Sequence, residues 1–439
     1  MSPLLIGLLV GLVTVVVLAT GVPIAFGLGI TAVLFLVLFD GVEALSFTAE
    51  TMFAALSEFT LVSIPMFILM GAAVASSPAG RDLYLALDRW LWRVPGGLVI
   101  ANLGACSLFA ALSGSSPATC AAIGKMGIPE MRSRGVPDAL ATGAIAAGGT
   151  LGILIPPSVT MIVYGIATGT SIGRLFLAGV VPGLLLTALF IAWALWVSHR
   201  HGAVRPRAHG FTLREKLEVL PRVLPFLLIV IALLWTLYGG VATPSEAAGV
   251  GAALCLAFAV AIYRITDRER LWAILRDSTR ESVMIMLIIA AADLYSYMLS
   301  SLFVTQSLAQ WIATLEVNRW FLLAILNVFL LIAGCFLPPV AIILMTAPVL
   351  MPLVTQAGFD PYWFGVILTI NMEIGLITPP VGLNLYVING IAPDVPLPVV
   401  LRGALPFVLL MILGIVILCL FPGLATWLPD LLMGPGARA

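Results

Sequence analysis

Two short segments in the first half of the chain combine hydroxyl groups, glycine and helix breakers within long apolar stretches. Residues 113–117 read Ser-Gly-Ser-Ser-Pro, and residues 148–152 read Gly-Gly-Thr-Leu-Gly, with Pro156 and Pro157 shortly after them. A sodium ion needs hard oxygen ligands, which hydroxyl groups and the backbone carbonyls of a broken helix supply. A Pro pair leaves such carbonyls free, because Pro has no N–H and cannot continue a helix. The predicted ligands of a sodium site here are Ser113, Gly114, Ser115, Gly148, Gly149 and Thr150.

A second sodium site is predicted from the matching segments of the second half. Residues 334–339 would form a turn, and residues 371–375 read Asn-Met-Glu-Ile-Gly, with Pro379 and Pro380 after them. The acid Glu373 stands in this stretch, and ionisable groups inside membrane spans are expensive and tend to be functional. The predicted ligands of this site are Gly334, Asn371, Glu373 and Gly375.

An anionic substrate is expected beside these two places. The positive N-terminal ends of half-helices that begin near Ser158 and Val381 would meet its negative charge. The residues predicted to contact the substrate are Ser116, Pro157, Ser158, Thr378, Pro380 and Asn384.

An internal duplication relates the two places. The pattern Gly-x-x-x-Pro-Pro occurs at residues 152–157 and again at residues 375–380, and the same offset relates Gly135 to Gly358. Small residues also serve close helix packing, and a Pro pair can be a simple kink. Close helix packing or a kink in one half does not require the same residues at the matching place of the other half. The duplication therefore favours the binding sites of a secondary transporter.

Two other acidic residues lie in or beside apolar stretches. The segment Thr243-Pro-Ser-Glu246 fits a helix start with Thr243 as N-cap, Pro at the first position and Glu246 completing a capping box. Asp293 lies within an apolar run, where it either serves the site or lines a domain interface. The pattern at residues 243–246 favours Glu246 as part of a helix cap rather than as an intramembrane acid. Both interpretations of Asp293 stay open.

The composition indicates a polytopic helical membrane protein. Hydrophobic residues make up 61% of the chain and charged residues 10%, and apolar runs of about twenty residues recur. The net charge is zero, and the basic residues fall in short loops, so nucleic acid is not expected as a partner. The cysteines lack ligand spacing, so neither a disulfide framework nor a metal site is expected, and no cofactor beyond sodium ions. His199, His201 and His209 all lie in the central loop, which disfavours an intramembrane hydrolase or another enzyme.

The Lys and Arg residues orient the chain in the membrane. Residues 199–222 are rich in both and are predicted to be a cytoplasmic linker between residues 1–198 and residues 223–439. Each half is expected to have about five spans, one re-entrant hairpin and one broken helix. An odd number of spans makes the two repeats inverted, and both termini are then periplasmic.

Hairpins and broken helices are the elements that must position the polar segments. Residues 98–128 have basic residues at both ends, so a re-entrant hairpin with its tip at residues 113–117 places both ends in the cytoplasm. Such backbone at membrane depth is tolerated only where it is buried in protein or lines a wet cavity. The matching hairpin is predicted at residues 321–351, with its tip near residues 336–339. The broken helices are predicted at residues 138–169 and 361–392.

Four strings resemble those of the large membrane subunit of tripartite ATP-independent periplasmic (TRAP) transporters. They are residues 113–119 (Ser-Gly-Ser-Ser-Pro-Ala-Thr), 149–158 (Gly-Thr-Leu-Gly-Ile-Leu-Ile-Pro-Pro-Ser), 243–248 (Thr-Pro-Ser-Glu-Ala-Ala) and 377–384 (Ile-Thr-Pro-Pro-Val-Gly-Leu-Asn). The resemblance covers nearly the whole chain. It implies an all-α protein of the bacterial inner membrane that takes up C4-dicarboxylates, sialic acid or other small organic acids. Uptake would be driven by sodium through an elevator movement of the hairpin domain against a scaffold.

The resemblance also implies partners. They are a small membrane (Q) subunit and a periplasmic substrate-binding (P) protein, in addition to the lipid bilayer. The family commonly has an acidic residue after Phe-Leu at the second tip, where this chain has Pro338, and Glu373 is expected to supply the missing charge. An alternative with the same layout is a self-sufficient carboxylate or ion transporter coupled to protons or a counter-anion, which would need no binding protein.

Overall fold

The described part of the chain is helical, with turns between the helices. The structure is a computed structural model that describes residues 1–94, 96–201, 210–314 and 318–434. Within these ranges there is no β-strand, so the predicted all-α class is confirmed. Six of the described helices are long and apolar enough to cross a membrane, or up to eight if each of two bent pairs counts as one span. The helices are α1 (Pro3–Ala19), α2 (Ile24–Phe39), α3 (Ser46–Leu56), α4 (Ser63–Ala75), α5 (Ala79–Leu91), α6 (Gly97–Ser113), α7 (Ser116–Ser133), α8 (Asp138–Leu154), α9 (Val159–Thr168), α10 (Ile172–His201), α11 (Leu213–Tyr238), α12 (Pro244–Ala261), α13 (Arg268–Ser301), α14 (Val304–Thr314), α15 (Arg319–Gly334), α16 (Pro339–Gln356), α17 (Pro361–Leu376), α18 (Leu383–Ile391), α19 (Leu397–Leu420) and α20 (Gly423–Met433).

Local sequence signals fix several helix starts. The hydroxyl of Thr243 accepts a hydrogen bond from the Glu246 N–H at 3.3 Å, and the Glu246 carboxylate accepts one from the Thr243 N–H at 2.8 Å. The predicted capping box at the start of α12 is therefore confirmed. Helix α17 begins in a related way, since Asp360 accepts hydrogen bonds from two backbone N–H groups and Pro361 occupies the first position.

The helix pairs at the predicted hairpins are longer than predicted. Helices α6 and α7 span residues 97–133 against the predicted 98–128, and α15 and α16 span residues 319–356 against the predicted 321–351. The reason is that Pro129 lies inside α7 without ending it, and α16 likewise continues past two prolines. Both pairs turn at short non-helical segments, residues 114–115 and 335–338, which lie at the predicted tips.

The broken helices agree closely with the predicted ranges. Helices α8 and α9 are bent by 40° at a break after Leu154, and α9 ends at Thr168. In the second half, α17 ends at Leu376 and α18 runs from Leu383 to Ile391. Each break contains a Pro pair, because Pro can neither donate a backbone hydrogen bond nor continue the preceding helix.

Helices extend into both ends of the predicted linker at residues 199–222. Helix α10 continues to His201, and α11 begins at Leu213. The start of α11 is fixed by a capping box in which Thr212 and Glu215 hydrogen-bond each other. Residues 202–209 lie outside the described residues.

The helices pack in two groups. In the first group, α4 packs against α12 and α13, and α13 also packs against α2 and α3. In the second group, α8 packs against α6, α7, α10 and α19, and α15 packs against α17. The short amphipathic helices α5 and α14 precede the helix pairs α6–α7 and α15–α16. Helices α9, α16 and α18 pack on members of the second group, so the duplicated segments lie within it, and this group contacts the first where α4 packs against α6 and α13 against α16.

A very close helix contact joins the two halves within the second group. A Cβ atom on Gly403 of α19 would overlap the carbonyl group of Ala139 in α8, and one on Gly143 of α8 would overlap the carbonyl of Gly403. Backbone touches backbone here, so only glycine fits at either position.

Candidate functional site

The first tip lies directly on the first break. Gly114 has φ 59°, a left-handed conformation that favours glycine, and a Cβ atom on it would lie 3.0 Å from the Pro157 oxygen. A Cβ atom on Gly152 would lie 2.7 Å from the Ser115 oxygen. The structure thus brings together backbone oxygens of the tip and of the break.

The hydroxyl groups of the first tip form a small buried network. Ser113 Oγ and Thr119 Oγ1 are 2.8 Å apart, and Thr119 Oγ1 donates to the Ser115 carbonyl at 2.8 Å. Thr119 was not predicted as a ligand, although it stands in the string that carries the family resemblance. Its position one turn into α7, with the hydroxyl directed back to the tip, is the signal that could have identified it.

The predicted residues Gly148, Gly149 and Thr150 are buried in the packing of α8. A Cβ atom on Gly148 would lie 2.8 Å from Cys106 Sγ, and one on Gly149 would overlap Cys120 Sγ. These glycines therefore allow α6 and α7 to pack closely on α8. The Thr150 hydroxyl donates to the Ala147 carbonyl at 2.6 Å, within its own helix.

The second tip lies on the second break in a similar way. The Val381 N–H donates to the Cys335 carbonyl at 3.2 Å. A Cβ atom on Gly334 would lie 3.6 Å from the Asn371 oxygen, and one on Gly375 would overlap the Gly334 carbonyl. The structure thus brings together three of the predicted ligands of the second sodium site, Gly334, Asn371 and Gly375.

The side chain of Asn371 has a partner that the sequence did not identify. Its amide donates to Asn327 of α15 and to the Ile367 carbonyl, the latter at 3.3 Å. Asn327 is a polar residue in an apolar run, and this is the signal that could have identified it. Thr378 donates to the Ile374 carbonyl at 2.6 Å, and Pro380 is exposed.

A buried polar cluster connects the first tip to the second half. Ser116 Oγ donates to Glu373 Oε2 at 3.2 Å, and Asn384 Nδ2 donates to Ser116 Oγ at 2.9 Å. Asn384 Nδ2 also lies 3.2 Å from the Ala146 carbonyl of α8. Ser116, Glu373 and Asn384 are each at most 1% exposed. The carboxylate of Glu373 therefore contacts the first tip, although the sequence placed it in the second sodium site.

A cavity of about 290 Å³ lies where the two tips meet. It is lined by residues 113–118 of the first tip, residues 338–341 of the second tip, and the edges of both breaks. Pro157 and Ser158 are buried and do not line it, since Ser158 Oγ accepts from the Met161 N–H to cap α9. Val159 and Thr160 line it in their place.

The cavity also has an acidic residue that the sequence analysis did not single out. Glu281 of α13 lines it, together with Pro338 of the second tip. It lies within Arg268–Ser301, which is one continuous helix. An acid at this depth in an apolar helix is itself a functional signal.

Asp293 lies in a second cavity, of about 570 Å³. Its lining includes Glu58 before α4, Ser296 of α13 and residues 165–167 of α9. Asp293 therefore lines a cavity between α13 and α9.

Arg132 forms ion pairs that connect three elements next to the site. Arg132 Nε lies 2.9 Å from Asp138 Oδ1, and the end of the same guanidinium contacts the Asp394 carboxylate at 2.5 and 3.2 Å. The end of α7, the start of α8 and the turn after α18 are thus connected. The hydrogen bond from Arg132 holds the pKa of the exposed Asp394 carboxyl below its usual value.

Two helix pairs and two broken helices that meet at one cavity define a helical membrane protein built for solute transport. The fold is similar to that of the Alcanivorax borkumensis YdaH transporter, with a TM-score of 0.65 and 16% identity over 90% of this chain and 91% of that chain. The family model "Tripartite ATP-independent periplasmic transporter, DctM component" matches residues 11–424. The chain belongs to this family, and the resemblance noted in its sequence is confirmed.

Curated relatives extend over nearly the whole chain. The C4-dicarboxylate TRAP transporter large permease protein DctM of Pseudomonas aeruginosa is 40% identical over 405 residues, which cover 92% of this chain and 93% of that protein. The isethionate TRAP transporter permease protein DctMQ of Oleidesulfovibrio alaskensis is 33% identical over 410 residues, covering 93% of this chain and 64% of that protein. These relatives are transporter permeases rather than enzymes.

Proposed function

We propose that this chain is the membrane subunit that carries a small organic acid inward, coupled to sodium ions. The observation that carries the proposal is the cavity of about 290 Å³, since both tips and the edges of both broken helices line it. Broken helices offer free carbonyls to cations and positive helix ends to anions at one place. The C4-dicarboxylate relative and the isethionate relative favour a small acid as substrate.

In this proposal the two sodium ions bind where each tip lies on its break. The first site uses Ser113, Gly114 and Ser115, which face residues 148–150 of α8 and the break that follows this helix, and the Ser113–Thr119 network holds the tip in place. The second uses carbonyls around Gly334 and Gly375, with Asn371 oriented by Asn327. The substrate lies in the cavity between them, where Ser116, Thr160 and the ends of α9 and α18 are within reach.

The two helix groups fit an elevator movement. The second group holds both tips and both breaks, and the first group would be the scaffold against which it moves. The cavities at two successive positions along α13, one beside Glu281 and one beside Asp293, are positions that a moving site could face in turn. We propose that the two halves are inverted repeats, as their matching element order favours.

The orientation follows from the basic residues and is tested by labelling. We place the chain in the bacterial inner membrane with both termini in the periplasm. Single cysteines at Ser133 and Arg214, which are exposed, should react from the cytoplasmic side, and one at Gly358 should react from outside. A membrane-impermeant maleimide applied to each face of oriented vesicles provides the measurement.

The unsubstituted chain provides the background for this labelling. Its cysteines are buried, apart from Cys419, which is half-buried. Reaction of Ser133 and Arg214 variants from opposite faces would contradict the re-entrant hairpin and the inverted arrangement.

Reconstitution tests the proposed function as a whole. The chain alone in liposomes, with a sodium gradient and free C4-dicarboxylate, should show little uptake. Adding the small membrane (Q) subunit and the loaded periplasmic substrate-binding (P) protein should restore it, and replacing sodium by potassium should abolish it again. The reason is that the chain's external loops are too short for a capture domain, which needs at least ~50 residues.

Two outcomes would contradict this proposal. Strong uptake by the isolated chain would support the self-sufficient transporter coupled to protons or a counter-anion. If uptake by the complete system is unchanged when potassium replaces sodium, transport is not coupled to sodium. Liposomes with the partner proteins but without this chain are the control.

A further inference from the structure

The second helix group contributes the first residues of four helices to the cavity of about 290 Å³. They are Ser116 of α7, Val159 of α9, Pro339 of α16 and Leu383 of α18. The N-terminal end of a helix carries about half a positive elementary charge, because its first backbone N–H groups have no partner within the helix. Four such ends at one cavity favour the negatively charged group of a ligand.

The first helix group contributes the opposite charge. Residues of α4 and α13 line the cavity, and Glu281 of α13 is the only charged side chain among its described lining residues. The other lining residues of α13 are apolar, namely Met284, Ile285 and Ile288. No Lys, Arg or His lines the cavity within the part of the chain that the structure describes. The cavity therefore has positive helix ends from one group and a single carboxylate from the other.

Glu281 has no ion-pair partner among the described residues. Its side chain is exposed and lines the cavity. Ionisable groups inside membrane spans are costly, and they pair with another charge or mark the path of a substrate or ion. A carboxylate in this position repels a second carboxylate of a ligand and attracts a cationic group. A plain dianion therefore fits this cavity less well than a molecule with charges of both signs.

We propose that the substrate is zwitterionic, a small organic acid that also carries a protonated amino group. Its acid group lies at the four helix ends, and its ammonium group donates a hydrogen bond to the Glu281 carboxylate. The cavity volume of about 290 Å³ is near the lower end for ligand sites, which have about 300–1,000 Å³, so the molecule is small. Because it names the ligand of that same cavity, this substrate class rests on the proposed function. Aspartate, an aminated C4-dicarboxylate, belongs to both classes.

Ligand binding to the purified full chain tests the substrate class without any binding protein. Three pairs of probes differ by an amino group: succinate and aspartate, propionate and β-alanine, and ethanesulfonate and taurine. A ligand that binds the folded chain raises its thermal unfolding midpoint, so a concentration series at saturating sodium ranks the two members of each pair. The aminated member of at least one pair should bind about tenfold or more tightly than its partner, which is the effect of one hydrogen bond between charged groups. If no aminated probe binds more tightly than its partner, the proposal is overturned.

Variants of α13 test whether Glu281 causes the preference. Glu281→Gln removes the negative charge and should abolish the preference for the aminated probe. Asp277→Asn is the matched control and should keep it, because Asp277 is an exposed acid one turn earlier, 3.0 Å from Arg276 Nε, and does not line the cavity. If Glu281→Gln fails to fold, Glu281→Asp keeps the charge on a shorter side chain and should reduce the preference. A preference that is unchanged in either Glu281 variant contradicts the proposal.

The same measurement separates a substrate contact from a sodium ligand. In a sodium series without probe, Glu281→Gln should need the same sodium concentration for half-maximal stabilisation as the wild type. A rise in that concentration, with the preference for aminated probes intact, would make Glu281 a sodium ligand and overturn the proposal.

Failure of the proposed function would give a different result. Uptake by the complete system that does not depend on sodium overturns the proposed function and leaves the preference of the cavity standing. Sodium-driven uptake together with equal binding within all three pairs overturns only the zwitterionic substrate.

Discussion

The variant Gly375→Ala is expected to lose at least about nine-tenths of sodium-driven uptake. A Cβ atom at this position would overlap the carbonyl of Gly334, so the second tip must move away from its break. Overpacking of a tight contact costs about 1–3 kcal/mol, and about 1.4 kcal/mol corresponds to a factor of ten. Uptake by the chain with both partner proteins in liposomes is the measurement.

Gly390→Ala is the matched control for this prediction. Gly390 is also a helical glycine of the second half, and a Cβ atom on it would meet nothing within 4 Å. Alanine has a higher helix propensity than glycine, so intrinsic helix stability favours both variants equally. Equal uptake by the two variants would show that the contact between tip and break does not matter for transport.

The variant Ser113→Ala is expected to raise the sodium concentration for half-maximal uptake about tenfold or more. The Ser113 hydroxyl lies at the first tip, 2.8 Å from Thr119 Oγ1, so its removal takes away a proposed ligand and loosens the tip. Interactions of a neutral group with a charged one contribute about 1.5–3 kcal/mol, which is the size of this shift. Uptake rates at a series of sodium concentrations and fixed ionic strength provide the measurement.

Ser107→Ala provides the control on the same helix. The Ser107 hydroxyl donates to the Leu103 carbonyl at 2.9 Å and lies 3.2 Å from Thr187 Oγ1, within helix packing and outside the cavity. Its loss should leave the sodium dependence unchanged. A parallel shift in both variants would assign the effect to a general loss of packing in α6.

The sequence located the polar segments because they are exceptions in an apolar chain. Helix breakers and hydroxyl groups at residues 113–117 and 148–152 violate the pattern of a simple span, and the recurrence of Gly-x-x-x-Pro-Pro at one offset favours binding sites over chance packing. The capping box at Thr243 and Glu246 was predictable for a related reason, since its hydrogen bonds form between residues three positions apart. Signals that act within one turn can be read directly from the chain.

The partners of these segments were not predictable in the same way. Glu373 was placed near the second tip by its position in the chain, but its carboxylate contacts Ser116 of the first tip, 257 residues away. Apolar helices in lipid are not driven together by hydrophobicity but associate through close packing and hydrogen bonds of particular faces, and the sequence of one chain does not say which faces meet. The first hairpin extends beyond its predicted end at residue 128 for a local reason, since Pro129 lies inside α7 without ending it.

The contact between Gly143 and Gly403 has a consequence for how the gene can change. Every missense codon at Gly403 adds at least one carbon atom, and that atom would fall on the carbonyl of Ala139. No smaller residue exists at either position to compensate, so a compensating change would have to shift a helix axis. The two halves, although free to diverge at their lipid-facing surfaces, are therefore constrained to change together at this crossing of α8 and α19.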